Sequence, residues 1–330
     1  MAAALWPGRR RCPDQEGARL CPHVHDGRGL AGAPREAMMD DRLGKGGNGT
    51  VVPAVLDARI AAGLAFLRHR LAGQYDIDEF GFDPDLTSNV LLPLIRPLAE
   101  KYFRAEVRGV ENVPADGAAL IVANHAGTIP IDALVTQLLI HDRTGRHLRL
   151  LAADLVFRLP VTSHLARKAG HTLACQEDTA RLLEAGEVVG VWPEGFKGIG
   201  KPFNQRYQLQ RFGRGGFVTA AAKAGAKIVP CAIVGAEEIY PIIADVKPLA
   251  KMLGLPYVPV TPTFPWLGPL GLLPLPSKWL VEFGPPIESS DLPEAAEDDP
   301  LSVLDMTSQV RETIQHMIYR LLAQRGSAYG

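Results

Sequence analysis

The chain has 330 residues, of which 47% are hydrophobic and 22% are charged, and its formal net charge is -1. This composition is typical of a globular protein and argues against a disordered chain. A charge near zero provides no global basic field, so nucleic acid is not expected as a partner and any anion recognition has to be local. No window reaches about 18 uninterrupted apolar residues, so the sequence predicts no transmembrane helix.

The first 50 residues are rich in Gly, Arg, Pro and Asp and show no periodicity, which predicts a disordered N-terminal tail over 1–50. The tail carries Cys12 and Cys21 close to His23 and His25. The second half of a zinc site is missing from this pattern, so no metal site is predicted. The cysteine spacing matches no disulfide framework, which favours a reduced, cytoplasmic setting.

Residues 51–104 are predicted to form N-terminal helices. The stretch "AVLDARIAAGLAFLRHRLAG" has apolar residues at helical spacing, and "DPDLTSNVLLPLIRPLAEKYF" indicates a second helix kinked at Pro93 and Pro97. The "VLLPLI" face is too apolar for an isolated surface helix. Packing against a core and lying on a membrane surface are both open interpretations.

Residues 105–290 alternate between short apolar runs and amphipathic segments. The predicted strands are "RAEVRG", "GAALIVAN", "LRLLAAD", "HTLAC", "VVGVW", "KIVPCAIVG" and "KWLVEF", with helices between most of them. Such alternation predicts an α/β fold with a mostly parallel central sheet flanked by helices. The remaining residues, 291–330, are an acidic linker and a closing amphipathic helix.

One stretch of this region is unlike the rest. Residues 252–276 are apolar but dense in Pro and Gly, which predicts a long irregular excursion with an exposed Trp266. Loops of this length are usually functional.

Two predicted strands end in polar residues. His125 follows "LIVAN", and Asp132 falls in the first turn of the next helix. Ligands of open α/β sheets sit at the carboxyl ends of strands, and a carboxylate beside a histidine fixes its tautomer. Glu194 and Gly195 follow "VVGVWP" at the end of another strand. His125 and Asp132 are therefore candidates for a general base and its partner, although such neighbours are more often structural.

The blocks "NHAGTIPIDA", "VWPEGFKG" and "IVPCAIVG" occur here in order. Together they resemble the glycerolipid and lysophospholipid acyltransferase superfamily, over roughly residues 90–290. The resemblance implies that His125 deprotonates an acceptor hydroxyl, that Asp132 supports His125, and that Glu194 and Gly195 help to bind a glycerol-bearing acceptor. It also implies acyl-CoA or acyl-ACP as co-substrate, and neither a cofactor nor a metal.

The sequence departs from the family pattern in two places. Six residues separate His125 from Asp132 where four are usual, as in looser branches that resemble mono- and diacylglycerol acyltransferases. The arginine that many phosphate-using members carry after a strand like "GHTLAC" is absent, and Arg181 is only a weak substitute. The second departure puts a simple glycerol-phosphate acceptor in doubt.

The loop after Glu194 is basic and runs into a helix N-terminus, which favours anions. A solvated loop is the plain interpretation. The alternative is that part of this cluster, with Lys197, Arg211 and Arg214 as candidates, binds phosphates of coenzyme A or of a lysolipid.

The sequence thus favours an O-acyltransferase that acts on a glycerolipid and lies peripherally on the inner, cytoplasmic face of a membrane. Two alternatives stay open. One is a thioesterase or lipid esterase in which the same histidine activates water. The other is a non-catalytic lipid-binding protein.

Overall fold

The structure is a computed structural model that describes residues 54–73, 75–158, 160–213, 215–289 and 299–329. The predicted tail, most of the acidic linker and Arg214 lie outside the described residues. The chain divides into two compact units. Helix α1 (Ala54–Leu71), the first predicted helix, belongs to one of them, and all later elements belong to the other.

The second unit is built around a central sheet. The strands of the unit are β1 (Glu106–Arg108), β2 (Ala119–Ala123), β3 (Leu148–Ala152), β4 (Thr172–Leu173), β5 (Val188–Val191), β6 (Lys227–Val234), β7 (Ala244–Asp245), β8 (Pro259–Val260) and β9 (Leu280–Phe283). Seven of them form one sheet in the order β1-β9-β6-β2-β5-β3-β4, and β7 pairs with β8 separately. Neighbours in the large sheet are parallel except β6 and β9. The predicted mostly parallel sheet is confirmed.

Helices lie on both faces of this sheet. They are α2 (Pro84–Leu86), α3 (Leu92–Pro97), α4 (Ile131–Thr144), α5 (Asp154–Arg158), α6 (Pro160–Lys168), α7 (Gln176–Glu184), α8 (Phe196–Ile199), α9 (Gly216–Lys223), α10 (Lys247–Leu253) and α11 (Pro300–Gln324). Residues of α7, α9 and α11 share one hydrophobic cluster with the sheet, and residues of α3 and α4 share the other. None of the helices in the described ranges is long and apolar enough to cross a bilayer.

Strand β2 is covered on both sides. Leu120 and Val122 belong to the cluster of α9 and α11, whereas Ile121 and Ala123 belong to that of α4. All four are fully buried. A strand buried on both faces is expected to be a continuous apolar run, as this one is. The apolar run ends at Ala123, and the polar residues Asn124 and His125 follow it directly.

The second predicted helix is one helical run from α2 to Tyr102. The π-helical segment Thr87–Leu91 separates α2 from α3, and a second π-helical segment, Leu98–Tyr102, follows α3. Proline lacks the N–H that an α-helical turn would use, so wider turns appear where kinks were predicted. Leu92 is buried in the core and Leu94 is exposed. The other residues of this face are half-buried or exposed, so core packing takes up part of it and both interpretations stay open.

Candidate active site

The carboxyl end of β2 brings His125 and Asp132 together. His125 Nδ1 lies 2.8 Å from Asp132 Oδ2. The Asp132 side chain is fully buried, and that of His125 is 13% exposed. A carboxylate only accepts hydrogen bonds, so Nδ1 carries the proton and Nε2 keeps its lone pair. The pair therefore holds one unprotonated ring nitrogen in a fixed orientation, as a general base requires.

A loop, and not a continuous helix, closes the six-residue gap. Gly127 takes a left-handed backbone conformation with φ 81°, and α4 begins only at Ile131. The backbone N–H of Ala126 donates to Asp132 Oδ2 at 2.9 Å, and that of Ala133 donates to Oδ1 at 2.9 Å. The carboxylate thus organises the loop as well as the histidine. Its place in the first turn of α4 is also favoured by the helix dipole.

Asn124 determines how the chain leaves β2. Its Nδ2 donates to Ile233 O at 2.9 Å, and its Oδ1 accepts from Ile233 N at 2.7 Å. The side-chain amide thereby reproduces the pattern of a backbone pair towards β6. Because Asn124 is fully buried, both bonds are shielded from water and hold the next residue, His125, in place.

The Glu194 carboxylate binds the backbone of His125. One carboxylate oxygen accepts the backbone N–H of His125 at 2.9 Å, and the other accepts that of Gln210 at 2.6 Å. Gly195 allows the chain to turn there, with φ 54° and ψ -142°, a region that favours glycine. The resemblance implied acceptor binding by Glu194 and Gly195. In the structure the Glu194 carboxylate is fully buried and bonded to the protein, and acceptor binding by these two residues stays a prediction.

Lys201 links Glu194 to a second buried carboxylate. Its Nζ lies 3.4 Å from Glu194 Oε2 and 3.1 Å from Glu237 Oε1, and the lysine side chain is only 3% exposed. Glu237 also accepts the backbone N–H of Tyr207 at 2.7 Å. Burial raises the pKa of Glu237 to about 7, against the lowering effect of the lysine charge. Lys201 is therefore buried and paired with two carboxylates. Neither interpretation of the basic loop, a solvated loop or a phosphate-binding one, describes this residue.

Two further residues complete the wall around His125. A Cβ on Gly198 would lie 2.9 Å from the His125 carbonyl oxygen and 2.8 Å from the Glu194 Cβ, so only glycine fits there. The Trp192 ring centroid lies 6.0 Å from that of His125, and its indole nitrogen has no hydrogen-bond partner among the described residues. Trp192 and Gly198 lie within four positions of Glu194 in the sequence. Their place in the block "VWPEGFKG" was the signal that could have identified them.

The structure describes two of the three predicted phosphate ligands. Lys197 and Arg211 are exposed, and Arg214 lies outside the described residues. The start of α9, expected to attract anions, is covered by α11: a Cβ on Gly215 would lie 2.6 Å from Val303 Cγ1. This helix start therefore packs against α11, and the anion site that was predicted there stays a prediction.

Arg181 contacts the segment that precedes α2. Its guanidinium pairs with Glu79 and lies 5.0 Å from the centroid of the Phe80 ring. It is therefore held against the segment before α2. The pair is exposed, so the doubt about a simple glycerol-phosphate acceptor still rests on the sequence alone.

The chain matches the family model described as Acyltransferase over residues 104–234, a range that contains His125, Asp132 and Glu194. It is 56% identical over 279 residues to "Uncharacterized protein Rv0502" of Mycobacterium tuberculosis, covering 84% of this chain and 78% of that one. It is 31% identical over 125 residues to the human "DGAT1/2-independent enzyme synthesizing storage lipids", covering 38% of each.

The crystal structure of the 1-acyl-sn-glycerophosphate acyltransferase PlsC from Thermotoga maritima matches with a TM-score of 0.49 and 17% identity, covering 82% of this chain and 99% of that one. The family match runs through the strand ends that carry the candidate catalytic pair, and it agrees with the three sequence blocks. Residues 104–234 thus match the family described as Acyltransferase, within a chain that is similar over most of its length to the mycobacterial protein.

Proposed function

We propose that the protein is an O-acyltransferase that moves a fatty acyl group from acyl-CoA or acyl-ACP to a hydroxyl of a glycerolipid or lysophospholipid. The observation that carries this proposal is the 2.8 Å contact between His125 Nδ1 and Asp132 Oδ2, which leaves Nε2 able to accept a proton. The partially exposed ring stands at the carboxyl edge of the sheet, where ligands of open α/β folds bind.

In the proposed reaction, His125 Nε2 takes the proton of the acceptor hydroxyl while its oxygen bonds to the thioester carbonyl carbon. The tetrahedral intermediate then expels the thiolate by breaking the C–S bond, and the thiolate receives the proton from Nε2. The products are an oxygen ester and a free thiol. Asp132 stabilises the imidazolium between the two steps, so no acyl-enzyme is needed.

The acceptor we favour lacks a simple glycerol-phosphate head. Arg181, the weak substitute for the missing arginine, is paired with Glu79 in an exposed ion pair. The human relative is, by its name, an enzyme that synthesizes storage lipids. Monoacylglycerol, diacylglycerol and lysophospholipids are therefore the acceptors to examine first.

A screen of acceptors with one isotope-labelled acyl-CoA tests the function. We expect the wild-type protein to form a labelled ester with at least one glycerolipid acceptor, detected by mass spectrometry, and the His125→Ala variant to form almost none. Thiol release that does not depend on an acceptor would instead indicate a thioesterase. Lipid binding without turnover of any donor would indicate a lipid-binding protein.

Amphiphilic substrates require access to a lipid surface, and the apolar excursion 252–276 offers one. Trp266 is 74% exposed, and Leu267, Leu270 and Leu273 are exposed beside it. The excursion is tied to the protein from its inner side, where the Tyr240 hydroxyl donates to Leu272 O at 2.6 Å. An exposed tryptophan among leucines on an anchored loop suits insertion at a membrane interface.

Replacing Trp266 and Leu267 together with aspartate is expected to weaken sedimentation with phosphatidylcholine–phosphatidylglycerol vesicles about tenfold or more, since both side chains would lose apolar contact with lipid. Leu301→Asp is the matched control, because Leu301 is equally exposed but lies on α11. Thermal melting should be unchanged in all variants. Equal sedimentation of the double variant and the control would rule out this surface.

A further inference from the structure

Residues 207–210, between α8 and α9, form an extended segment that belongs to neither sheet. Tyr207 and Leu209 are buried in the same hydrophobic cluster as α11, and Gln208 is exposed between them. This alternation is that of a strand with one face on the core. Buried backbone N–H and C=O groups need hydrogen-bond partners, and a segment outside the sheets has no neighbouring strand to supply them. The partners of these groups therefore determine where the segment lies.

The last helix, α11, bonds most of the backbone of the 207–210 segment. Gln315 Nε2 donates to Tyr207 O at 2.8 Å, and Gln315 Oε1 accepts from the Leu209 N–H at 2.8 Å. Arg311 donates through Nη2 to Leu209 O at 2.8 Å and through Nε to Gln210 O at 3.3 Å. Gln315 thus bonds the C=O of one residue and the N–H of the second residue after it, as one residue of a parallel neighbouring strand does. Side chains of α11 take the place of that strand.

The end of the same segment contacts the candidate active site. The Gln210 N–H donates to Glu194 Oε2 at 2.6 Å, and Glu194 Oε1 accepts the His125 N–H at 2.9 Å. One carboxylate therefore joins the segment to the backbone of the histidine. The Glu194 side chain is fully buried, so a shift of Gln210 would either move the carboxylate or remove a donor from an oxygen that water does not reach. A displacement of the segment would reach His125 through these two bonds.

The segment needs its partners to keep this conformation. Tyr207 has φ 65°, in the left-handed region that residues other than glycine rarely adopt. Such a backbone conformation persists only where the surrounding structure imposes it. The Tyr207 hydroxyl is held as well, since it donates to Glu238 Oε1 at 2.7 Å and accepts from Arg325 Nη1 at 3.1 Å. Loss of the bonds from α11 is therefore expected to let the backbone relax away from Glu194.

We propose that Gln315 and Arg311 are positioning residues for the acyl transfer. They hold the 207–210 segment, the segment holds the Glu194 carboxylate, and Glu194 holds the backbone of His125. This inference rests on the proposed function. Both residues lie on a helix that follows the part of the chain matching the Acyltransferase family. A displacement of about 1 Å at a catalytic group can lower the rate about 100-fold, so even a small shift of His125 is measurable.

Steady-state kinetics of Gln315→Met test the proposal, because methionine keeps the length of the side chain and removes both bonds to the segment. We expect kcat to fall about tenfold and the KM of donor and acceptor to change less than about twofold. Arg320→Ala, which removes an exposed contact of α11 with Glu282, should leave kcat unchanged. Met317→Ala should lower the melting temperature through the core beside Gly284 and leave kcat unchanged at a temperature where all variants are folded. An equal loss of kcat in Met317→Ala would overturn the proposal.

Glu194→Gln shows whether the effect passes through Glu194. The glutamine retains an oxygen for the His125 N–H, but its amide nitrogen cannot accept a bond from the Gln210 N–H. In this background Gln315→Met should lower kcat by less than about twofold, since the bond that it disturbs is already lost. Equal factors in the two backgrounds would mean that Gln315 does not act through Glu194, and the proposal would be wrong.

Amide hydrogen exchange keeps the test independent of turnover. Gln315→Met is expected to speed the exchange of the His125 and Gln210 N–H groups about tenfold, and Arg320→Ala is expected to leave both unchanged. If the wild-type protein transferred no acyl group and exchange still changed in this way, the proposed function would be wrong while the positioning of His125 by α11 would stand. If acyl transfer occurred and Gln315→Met altered neither exchange nor kcat, the positioning role would be overturned.

Discussion

Replacing His125 with alanine is expected to lower kcat for acyl transfer by about 10²–10⁴-fold, the usual contribution of a positioned general base. In the proposed mechanism Nε2 receives the proton, and among the described residues no other ring nitrogen contacts Asp132 in this way. The substitution removes one hydrogen bond from a partly exposed side chain. Asp132 keeps its two backbone donors from Ala126 and Ala133, so the loop should keep its conformation.

His164→Ala provides the matched control, because His164 is an exposed histidine on α6 and its loss should leave kcat unchanged. Asp132→Asn is a second informative variant. It alters the proton arrangement at Nδ1, so kcat should fall while the KM of the acceptor changes little. Full activity in His125→Ala would mean that another group removes the proton, and the proposed mechanism would be wrong.

The sequence was sufficient to predict the fold and the contact between His125 and Asp132, because both depend on local patterns. The apolar run of β2 is continuous since both faces are covered, and its abrupt end marks where His125 emerges. The gap before Asp132 was also interpretable, because Gly127 and Pro130 indicate a loop ahead of the helix. These features depend on neighbours within about ten residues.

Buried charges were not predictable in the same way, because their partners are distant in sequence. Lys201 and Glu237 are 36 positions apart. Arg149 sits in the middle of a buried strand, with its guanidinium 2.6 Å from Asp78, 71 positions away, and 4.5 Å from the Phe82 ring centroid. From the sequence alone, a basic residue in a loop or strand is interpreted as solvated, because its carboxylate partner can be identified only in the structure. Lys201 in the basic loop is such a residue, since both of its carboxylate partners are buried.

Lys201→Met is expected to destabilise the protein by about 3–5 kcal/mol, because two buried carboxylates would lose the cation that they share. The groups facing Glu237 are Lys201, Glu194 and the Tyr207 N–H. Thermal melting or urea unfolding measures the change. Lys227→Met is the matched control, since its pair with Glu288 is half-exposed and should contribute less than about 1 kcal/mol.

The stability of Lys201→Met should also depend on pH differently from that of the wild type. The pKa of Glu237 is raised to about 7 in the folded protein, so the folded state binds this proton more tightly than the unfolded state does. Stability from this group is therefore present at low pH and is lost as pH rises towards 7. Without the lysine the pKa of Glu237 rises further. The melting temperature of Lys201→Met should keep falling at pH values where that of the wild type has levelled off.

The double variant Lys201→Met with Glu237→Gln separates stability from positioning. It removes the cation together with one carboxylate, so the melting temperature should recover most of what Lys201→Met lost. Glu194 would still lack the ammonium at its second oxygen, and that carboxylate holds the His125 backbone. We therefore expect kcat to stay about tenfold below the wild type, a loss of about 1.4 kcal/mol in transition-state stabilisation. If kcat recovered together with the melting temperature, Lys201 would be a structural counter-ion and the orientation of His125 would not depend on it.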